Sequence, residues 1–522
     1  MKTLPEQNAR AIAVLGTGSD VGKSMMVAAL CRLFHRAGVC VAPFKAQNMS
    51  LNAFVTVDGG EIGRAQALQA QAAGIPAHVD MNPILLKPES DDVSQVIVQG
   101  RVLMKTNAHN YFERTPDLFR YVQDSYERLA QIHEVMVIEG AGSAAEVNLR
   151  DRDIVNWRVA EMADASVLLV ANIDLGGVFA QVVGTLDLIT PAERRRVRGI
   201  LINKFRGDRT LFAEGVTFLK ERTGVPVLGV LPFLRELELD QEDSLEVNRT
   251  CNKFTKRQVN VAVLLVPRMS NFTDFNALAA EPDVTLRYIR TPDDLCGADV
   301  VILPGSKNTI GDLKYLRDAG FLKGLHAHIQ QRGELIGICG GYQMLGTLIS
   351  DPHAVEAGGS TEGFGFLNVV TELTTSKTTR QVRAIFLDHG SETDLTITGY
   401  YIHMGRTRRT DGLSRFKLAP SSSYNGGGGM KADHEETADE DGTVHPNGLV
   451  WGTYIHGLFD GPEFRRYWLN SVRLRKGLPP LDASVSAETT TRLAAQLDRW
   501  ADHVKQYVDW PSIAKMVGLS LS

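Results

Sequence analysis

Two short stretches carry residue types that chemistry requires at spacings that would bring them to bear. In the first, Gly16-Thr17-Gly18-Ser19-Asp20-Val21-Gly22-Lys23-Ser24 lies between the apolar run 11–15 and the segment 25–37. A buried strand, a glycine-rich turn and a helix start make a phosphate cradle. Backbone N–H groups and the positive end of the helix dipole face one volume, Lys23 adds a mobile cation, and the Ser24 hydroxyl can hold Mg²⁺. The pattern predicts an ATP site built from Thr17, Gly18, Asp20, Val21, Gly22, Lys23 and Ser24. The second stretch, Glu334-Leu335-Ile336-Gly337-Ile338-Cys339-Gly340-Gly341-Tyr342-Gln343-Met344-Leu345, reads as a strand, a sharp G-x-C-x-G turn and a helix start. This is a nucleophile elbow with sulfur as nucleophile: the turn lifts Cys339 clear of the sheet and the helix N-terminus favours thiolate. Upstream, Leu303-Pro304-Gly305-Ser306 ends an apolar run at a glycine whose N–H, with that of Gly340, can stabilise an oxyanion. Downstream, His456 closes the apolar run beginning at Val450 and is available as the base for Cys339.

Other polar groups fall at predicted strand ends. Glu139, after the run 135–138 and before Gly140-Ala141-Gly142, stands where a second Mg²⁺ contact belongs. Asn203, at the end of another apolar run, could offer its amide to an adenine edge. Phe44-Lys45-Ala46-Gln47-Asn48-Met49-Ser50-Leu51-Asn52 packs a lysine and three amides into one loop, groups that suit a carboxylate and its phosphorylated form. The charged stretch 148–156, which includes Asp153, reads equally well as a solvated turn.

Such residues need a scaffold that delivers strand ends to a common edge. Apolar runs at 39–44, 135–138, 166–171, 199–202 and 225–230 alternate with longer crossovers, which predicts a parallel sheet covered by helices on both faces. A fresh alternation begins at 259–266 and continues at 284–289, 300–303 and 335–338. The expected fold is therefore α/β with two doubly wound domains: a nucleotide domain over residues 1–235, a linker at 236–258, and a second domain at 259–475. The tail 476–522 carries Leu493, Leu497, Trp500, Val504 and Val508 at helical spacing and is expected to pack on the second domain. Residues 374–445, with four consecutive glycines at 426–429 and an acidic patch at 433–441, read as a flexible excursion.

Composition narrows the classes. The 522 residues exceed one compact core, and 56 basic against 61 acidic residues, with no basic run interleaved with aromatics, argue against a nucleic-acid partner. Five cysteines, none in a Cys-x-x-Cys pair, suit a reducing compartment rather than a disulfide or zinc framework. No run stays apolar for about 18 residues and residues 1–10 hold no apolar leader, so a cytoplasmic enzyme without a membrane span is expected. A homo-oligomer is compatible with all of this.

The variant loop, with Thr17 where the general pattern has glycine, resembles the dethiobiotin synthetase branch of phosphate-loop proteins. Over nearly the whole length the chain resembles the cobyric acid synthase family. GTGSDVGKS, PFKAQNMSLN, EIGRAQALQAQAAG, MNPILLKP, IEGAGS, NLRDRDIVN, INKFRGD, LPGSKNT, GICGGYQMLG and WGTYIHGLFD occur in family order. The resemblance implies an ATP- and Mg²⁺-dependent amidoligase fused to a class I glutamine amidotransferase-like domain. Its substrates would be adenosylcobyrinic acid a,c-diamide, glutamine and ATP, with amidation of the b, d, e and g carboxylates through acyl phosphates. It carries Lys23, Ser24 and Glu139 to phosphates and Mg²⁺, Lys45 to the reacting carboxyl phosphate, Asp153, Gln47, Asn48 and Asn52 to the substrate, Asn203 to adenine and Gln343 to glutamine. Two departures stand out. Most class I amidotransferases have an acid two residues after the catalytic histidine, where this chain, like the cobyric acid synthases, has another residue, here Leu458. A Cys339–His456 dyad is therefore expected, oriented by another group or by none. Tyr401 also occupies a position where the family suggests glutamate. The rivals are a cobyrinic acid a,c-diamide synthase-like amidase, whose PFKxGPDFIDP-like loop differs from the PFKAQN here, and a ParA-like switch ATPase.

Overall fold

The computed structural model describes residues 9–90, 92–235, 237, 239, 254–256, 258–356, 358–388, 391–419, 439–486 and 488–520. Most of the expected linker, the glycine run 426–429 and most of the acidic patch 433–441 lie outside the described residues.

The first sheet has six parallel strands in the order Val227–Pro232, Val197–Phe205, Ser166–Asn172, Arg10–Gly16, Val135–Glu139, Val41–Phe44. Alternate residues of the strand Arg10–Gly16 enter two different cores: Ala11, Ala13 and Leu15 on one face, Ile12 and Val14 on the other. Burial on both faces is why this strand reads as an unbroken apolar run rather than an alternation. Register sets Val14 beside Glu139, so the phosphate loop and the acidic strand end emerge side by side.

The second sheet runs Val284–Ile289, Val259–Leu264, Val300–Leu303, Glu334–Ile338, Val450–Thr453, all parallel, with Thr443–Val444 added antiparallel at one edge. Cys339 and His456 follow neighbouring strands of this sheet.

Three features depart from the sequence expectations. Residues 47–107 form an accessory sheet, Gln47–Met49, Ile84–Pro88, Val93–Val98 and Arg101–Asn107, together with the hairpin Ala53–Val55/Glu61–Gly63. The expected flexible excursion is not what residues 374–409 form: Val369–Asp388 and Ser391–Arg409 make one long antiparallel hairpin. Threonine and β-branched residues spaced among charges favour extended chain without producing an apolar run, which hides the strands from a hydrophobicity reading. Tyr400 and Ile402 of this hairpin join Ala53, Val55, Leu85 and Ile97 in a small core shared by the two domains.

The tail is the third. Helix Thr489–Tyr507 packs on the first domain, not the second. Leu497, Trp500 and Val504 enter the core formed by helix Lys23–Arg36, Arg32 pairs with both oxygens of Asp498 at 2.8 Å, and Trp500 Nε1 donates to Met25 O at 2.7 Å. An amphipathic stripe says that a face is covered without saying by what, and the outer face of helix Lys23–Arg36 is the apolar surface the tail reaches. Trp500, 5 % exposed, is expected to stabilise the nucleotide domain. Trp500→Ala should cost about 3–5 kcal/mol, read as a lowered denaturation midpoint, and Mg-ATP should recover part of the loss.

Candidate active sites

At the first strand end the backbone turns through left-handed geometry at Asp20 (φ 54°) and Gly22 (φ 97°). A Cβ at Gly22 would lie 2.3 Å from Asn203 Nδ2, so glycine is required both by the dihedral and by this close approach. Asn203 donates Nδ2 to Val21 O at 2.8 Å and accepts from Lys204 N at 2.9 Å. Its amide thus shapes the phosphate loop from beneath. Thr17 Oγ1 donates to Gln181 Oε1 at 3.3 Å. Lys23 Nζ, at the helix start, donates to Gly18 O and Gly142 O at 2.9 Å each, spanning the loop and the strand-end glycines.

Glu139, wholly buried, gathers the predicted groups. Its Oε1 accepts from Ser24 Oγ at 2.7 Å and from Lys45 Nζ at 2.8 Å, and its Oε2 accepts from Gln69 Nε2 at 2.5 Å. Burial alone would raise the carboxyl's pKa, but the Lys45 cation and these hydrogen bonds hold it below its usual value. Gln69 was not foreseen; it sits inside the EIGRAQALQAQAAG stretch with no local signal of chemistry. Its Oε1 is buried without a hydrogen-bond partner among the described residues. An orphan oxygen, a hydroxyl and a carboxylate at one place are the hard donors that suit Mg²⁺ carrying phosphate oxygens and water. Among the described residues no cluster of three or more His, Cys, Asp or Glu could hold a metal unaided. The donors present fit Mg²⁺ brought in with a nucleotide.

The remaining first-domain candidates occupy the flank of this centre. Gln47 Oε1 accepts from the Tyr111 hydroxyl, and Asn48 Nδ2 donates to Gln66 Oε1 at 3.0 Å. Gln47 and Asp153 line one cleft of about 880 Å³ that begins at Gly142 and Ser143. The Asp153 carboxylate accepts from the backbone N–H groups of Val155, Asn156 and Trp157 at 2.8–2.9 Å, so its first task is to pin the turn that forms the cleft wall. Asn52 is not in that cleft. It lies between the domains, where its Oδ1 accepts from Phe272 N at 3.1 Å.

The second centre has the strained backbone its motif demands. Cys339 sits at φ 53°, ψ −109°, an unusual conformation for a non-glycine residue and one associated with active-site elbows. A Cβ at Gly341 would lie 2.0 Å from Leu303 O, and one at Gly340 2.9 Å from Ser306 N, so the elbow closes only with glycine there. A Cβ on Gly305 would come 3.1 Å from His456 Cε1, which places the two predicted oxyanion glycines around the cysteine–histidine pair. His456 is completely buried and close enough to Cys339 for the sulfur to raise its pKa, while Cys339 Sγ itself donates to Ile402 O at 3.5 Å.

What orients the imidazole is Asp274, which the sequence reading missed. His456 Nδ1 pairs with Asp274 Oδ2 at 2.7 Å, and Gly457 N donates to Asp274 Oδ1 at 2.9 Å. The acid comes from the 3₁₀ turn Phe272–Phe275, not from the position taken by Leu458, which is core. The only hint in the chain was that Asn271-Phe272-Thr273-Asp274-Phe275 follows an apolar run. Burial would depress the His456 pKa, but Asp274 and the Cys339 sulfur lift it to about 10. The carboxylate on the Nδ1 side thus holds the ring toward its protonated form. Asp274→Asn should lower kcat/KM for glutamine hydrolysis about 10²-fold and shift the alkaline limb of its pH profile downward, since the charge that raises the imidazole is gone. A limb that stays in place would deny Asp274 this role.

Gln343 lines the same cavity as Cys339, with Nε2 donating to the Tyr454 hydroxyl at 3.0 Å and Oε1 accepting from Thr309 at 3.1 Å. Tyr401 is buried and packed edge-on to Tyr454, a framework position behind the site.

The two centres are joined by one segment and one side chain. From Lys45 the chain runs to Ala53, whose N–H donates to Asn271 Oδ1 at 3.0 Å; Asn271 Nδ2 in turn lies 3.4 Å from His456 Nε2.

Comparison with known proteins agrees with this two-part geometry. Residues 12–247 match the CobQ/CobB/MinD/ParA nucleotide binding domain, and residues 260–464 match the CobB/CobQ-like glutamine amidotransferase domain. The chain is 48 % identical to cobyric acid synthase of Citrobacter koseri over 96 % of its own length and 97 % of that protein. It is 45 % identical to cobyric acid synthase of Syntrophobacter fumaroxidans over 98 % and 99 % of the two chains. With two catalytic centres in place and likeness of this depth from end to end, the chain belongs to the cobyric acid synthase family.

Proposed function

We propose that this chain amidates the b, d, e and g carboxylates of adenosylcobyrinic acid a,c-diamide, with ATP to activate each carboxylate and glutamine to supply nitrogen. The observation that carries the reading is the convergence of Lys45, Ser24 and Glu139 at one strand end and of Cys339, His456 and Asp274 at the other, with the segment 45–53 between them.

A carboxylate is a poor electrophile and ammonium a poor nucleophile, so each must be converted before they meet. At the first centre Lys23 and the loop amides hold the phosphates of ATP, and Lys45 neutralises the charge that builds as a substrate carboxylate oxygen displaces ADP from the γ-phosphorus. Mg²⁺, held by Ser24 and Glu139, supplies further charge neutralisation when bound. At the second centre the Cys339 thiolate adds to the glutamine amide carbon, and the N–H groups of Gly305 and Gly340 receive the oxyanion. His456 gives its Nε2 proton to the leaving nitrogen, so that ammonia departs. Water, deprotonated by the now neutral His456, then releases glutamate from the thioester. Ammonia attacks the acyl phosphate carbon and expels phosphate, leaving the amide.

Mass spectrometry of the corrinoid after incubation with enzyme, glutamine and Mg-ATP tests the reading. It requires four successive replacements of OH by NH₂. Two replacements only would instead favour the a,c-diamide synthase chemistry.

A further inference from the structure

The cavity that takes in Cys339 is lined by charged side chains that the chemistry above does not use: Lys87, Glu89, Lys307, Glu356 and Lys377. Lys87 and Glu89 belong to the nucleotide domain, the others to the amidotransferase domain. Lys87 Nζ pairs with Glu61 Oε1 at 2.8 Å, Lys377 Nζ pairs with the other oxygen of the same carboxylate, and Lys307 Nζ pairs with Glu89 Oε1 at 2.7 Å. Lys105 reaches Glu89 Oε2 at 2.7 Å.

Four lysine side chains thus share the two carboxylates Glu61 and Glu89, and burial pushes Lys307 below its usual range. The third acid, Glu356, accepts from Ile310 N at 2.9 Å, and burial pushes its carboxyl above the usual range. Burial and the neighbouring lysines bring Lys377 down to about 7, with Glu61 opposing the shift. Lysine side chains are buried only when paired, and lysines that must share a carboxylate are held in their charged form by an added anion.

The substrate of Cys339 carries one. In glutamine the amide carbon and the α-carboxylate are separated by three carbons, and the α-ammonium is attached next to the carboxylate. The loop that presents Gly305 to His456 continues through Lys307 to Thr309 and Ile310, so a single turn of chain reaches from the oxyanion position to Lys307 and the Glu356 contact. The cavity is small, about 50 Å³, so glutamine can be seated only as the lysine and glutamate side chains that line it give way.

We propose that this cluster is the head-group site for glutamine: Lys307 and Lys377 take the α-carboxylate, Glu356 takes the α-ammonium, and Lys87 and Glu89 of the nucleotide domain close the site. The proposal rests on the reading that Cys339 hydrolyses glutamine. It makes amino-acid recognition a joint property of the two domains, so that glutamine is held only where the ammonia it yields has an adjoining consumer.

The test uses the full-length enzyme and three amides: glutamine, 4-aminobutanamide, which lacks the α-carboxylate, and glutaramate, which lacks the α-amino group. Lys307→Met and Lys377→Met should each lower kcat/KM for glutamine by about 10- to 100-fold, mostly through KM, and leave 4-aminobutanamide hydrolysis unchanged. Lys377→Arg should restore most of the loss, and Glu356→Gln should weaken glutamine but not glutaramate. Amidation driven by ammonium chloride reports that each variant is folded. Equal losses on glutamine and 4-aminobutanamide, or a glutamine KM indifferent to both lysines, would overturn the head-group assignment alone. A wild-type protein that releases no glutamate from glutamine would remove the reading beneath it as well.

Discussion

Cys339→Ala should reduce glutamine-dependent amidation by at least about 10³-fold while amidation supplied with ammonium chloride at alkaline pH continues. The reason lies in where the sulfur sits. Cys339 is held at a strained elbow beside an imidazole that Asp274 holds in turn, and no neighbouring side chain can replace a nucleophile that forms a covalent thioester. The nucleotide centre shares none of these groups, so activation of the carboxylate survives and external ammonia can complete the reaction. Glutamate release, ADP release and corrinoid mass, measured on the same samples, separate the two half-reactions. Loss of ammonium-dependent amidation in the variant would mean that the two centres are not chemically separate.

The second large effect is the converse. Lys45→Met should reduce amidation from either nitrogen source by about 10²- to 10³-fold while glutamine hydrolysis persists. Lys45 is 4 % exposed and its ammonium lies 2.8 Å from Glu139 Oε1, so methionine removes the partner of a buried carboxylate and, on the proposed mechanism, the cation that would face the transferring phosphoryl group. Leaving that carboxylate uncompensated disfavours its ionised form, which also weakens the Mg²⁺ donor set. Retained glutamate release shows that the chain is folded. Unimpaired ammonium-dependent amidation would exclude Lys45 from the activation step.

The residues behind these two predictions were visible in the sequence because local motifs fix them. Lys23, Ser24, Cys339 and Gly340 each lie within a few residues of the glycines that shape their turn, and the strands that carry them are buried on both faces and so read as apolar runs. Lys45 and Glu139, separated by 94 positions, could be placed near each other only as strand-end residues of one parallel sheet. Asp274 was hidden for a different reason. It lies 182 positions before His456 on a short turn, and nothing in a Thr-Asp-Phe sequence distinguishes a catalytic acid from a solvated one. The hairpin Val369–Asp388/Ser391–Arg409 was misjudged because its threonines and charges form no apolar run, and the tail helix because the surface that covers it is far away in sequence. Side-chain pattern gives an element's period and its buried face, whereas the identity of the covering surface is a tertiary fact. Asn203 and Asp153 add a role that residue type did not disclose: both side chains bond to backbone that shapes the neighbouring site.

The hairpin and the segment 45–53 give the two centres a common wall. Lys377 of the hairpin bonds to Glu61 and Gln95, Thr379 donates to Gly59 O at 2.7 Å, and Ala53 engages Asn271 beside His456. A loop that moves as a carboxylate substrate seats near Lys45 would therefore be felt by the side chain next to the catalytic imidazole. This is the physical basis for expecting ammonia to be made where it is consumed.

The most direct measurement supplies [amide-¹⁵N]glutamine together with a large excess of unlabelled ammonium and reads the isotope content of each new corrinoid amide. If ammonia passes from Cys339 to the acyl phosphate within the joined domains, the amides carry ¹⁵N in spite of the excess. Amides that match the isotope ratio of the bulk ammonium would contradict the account.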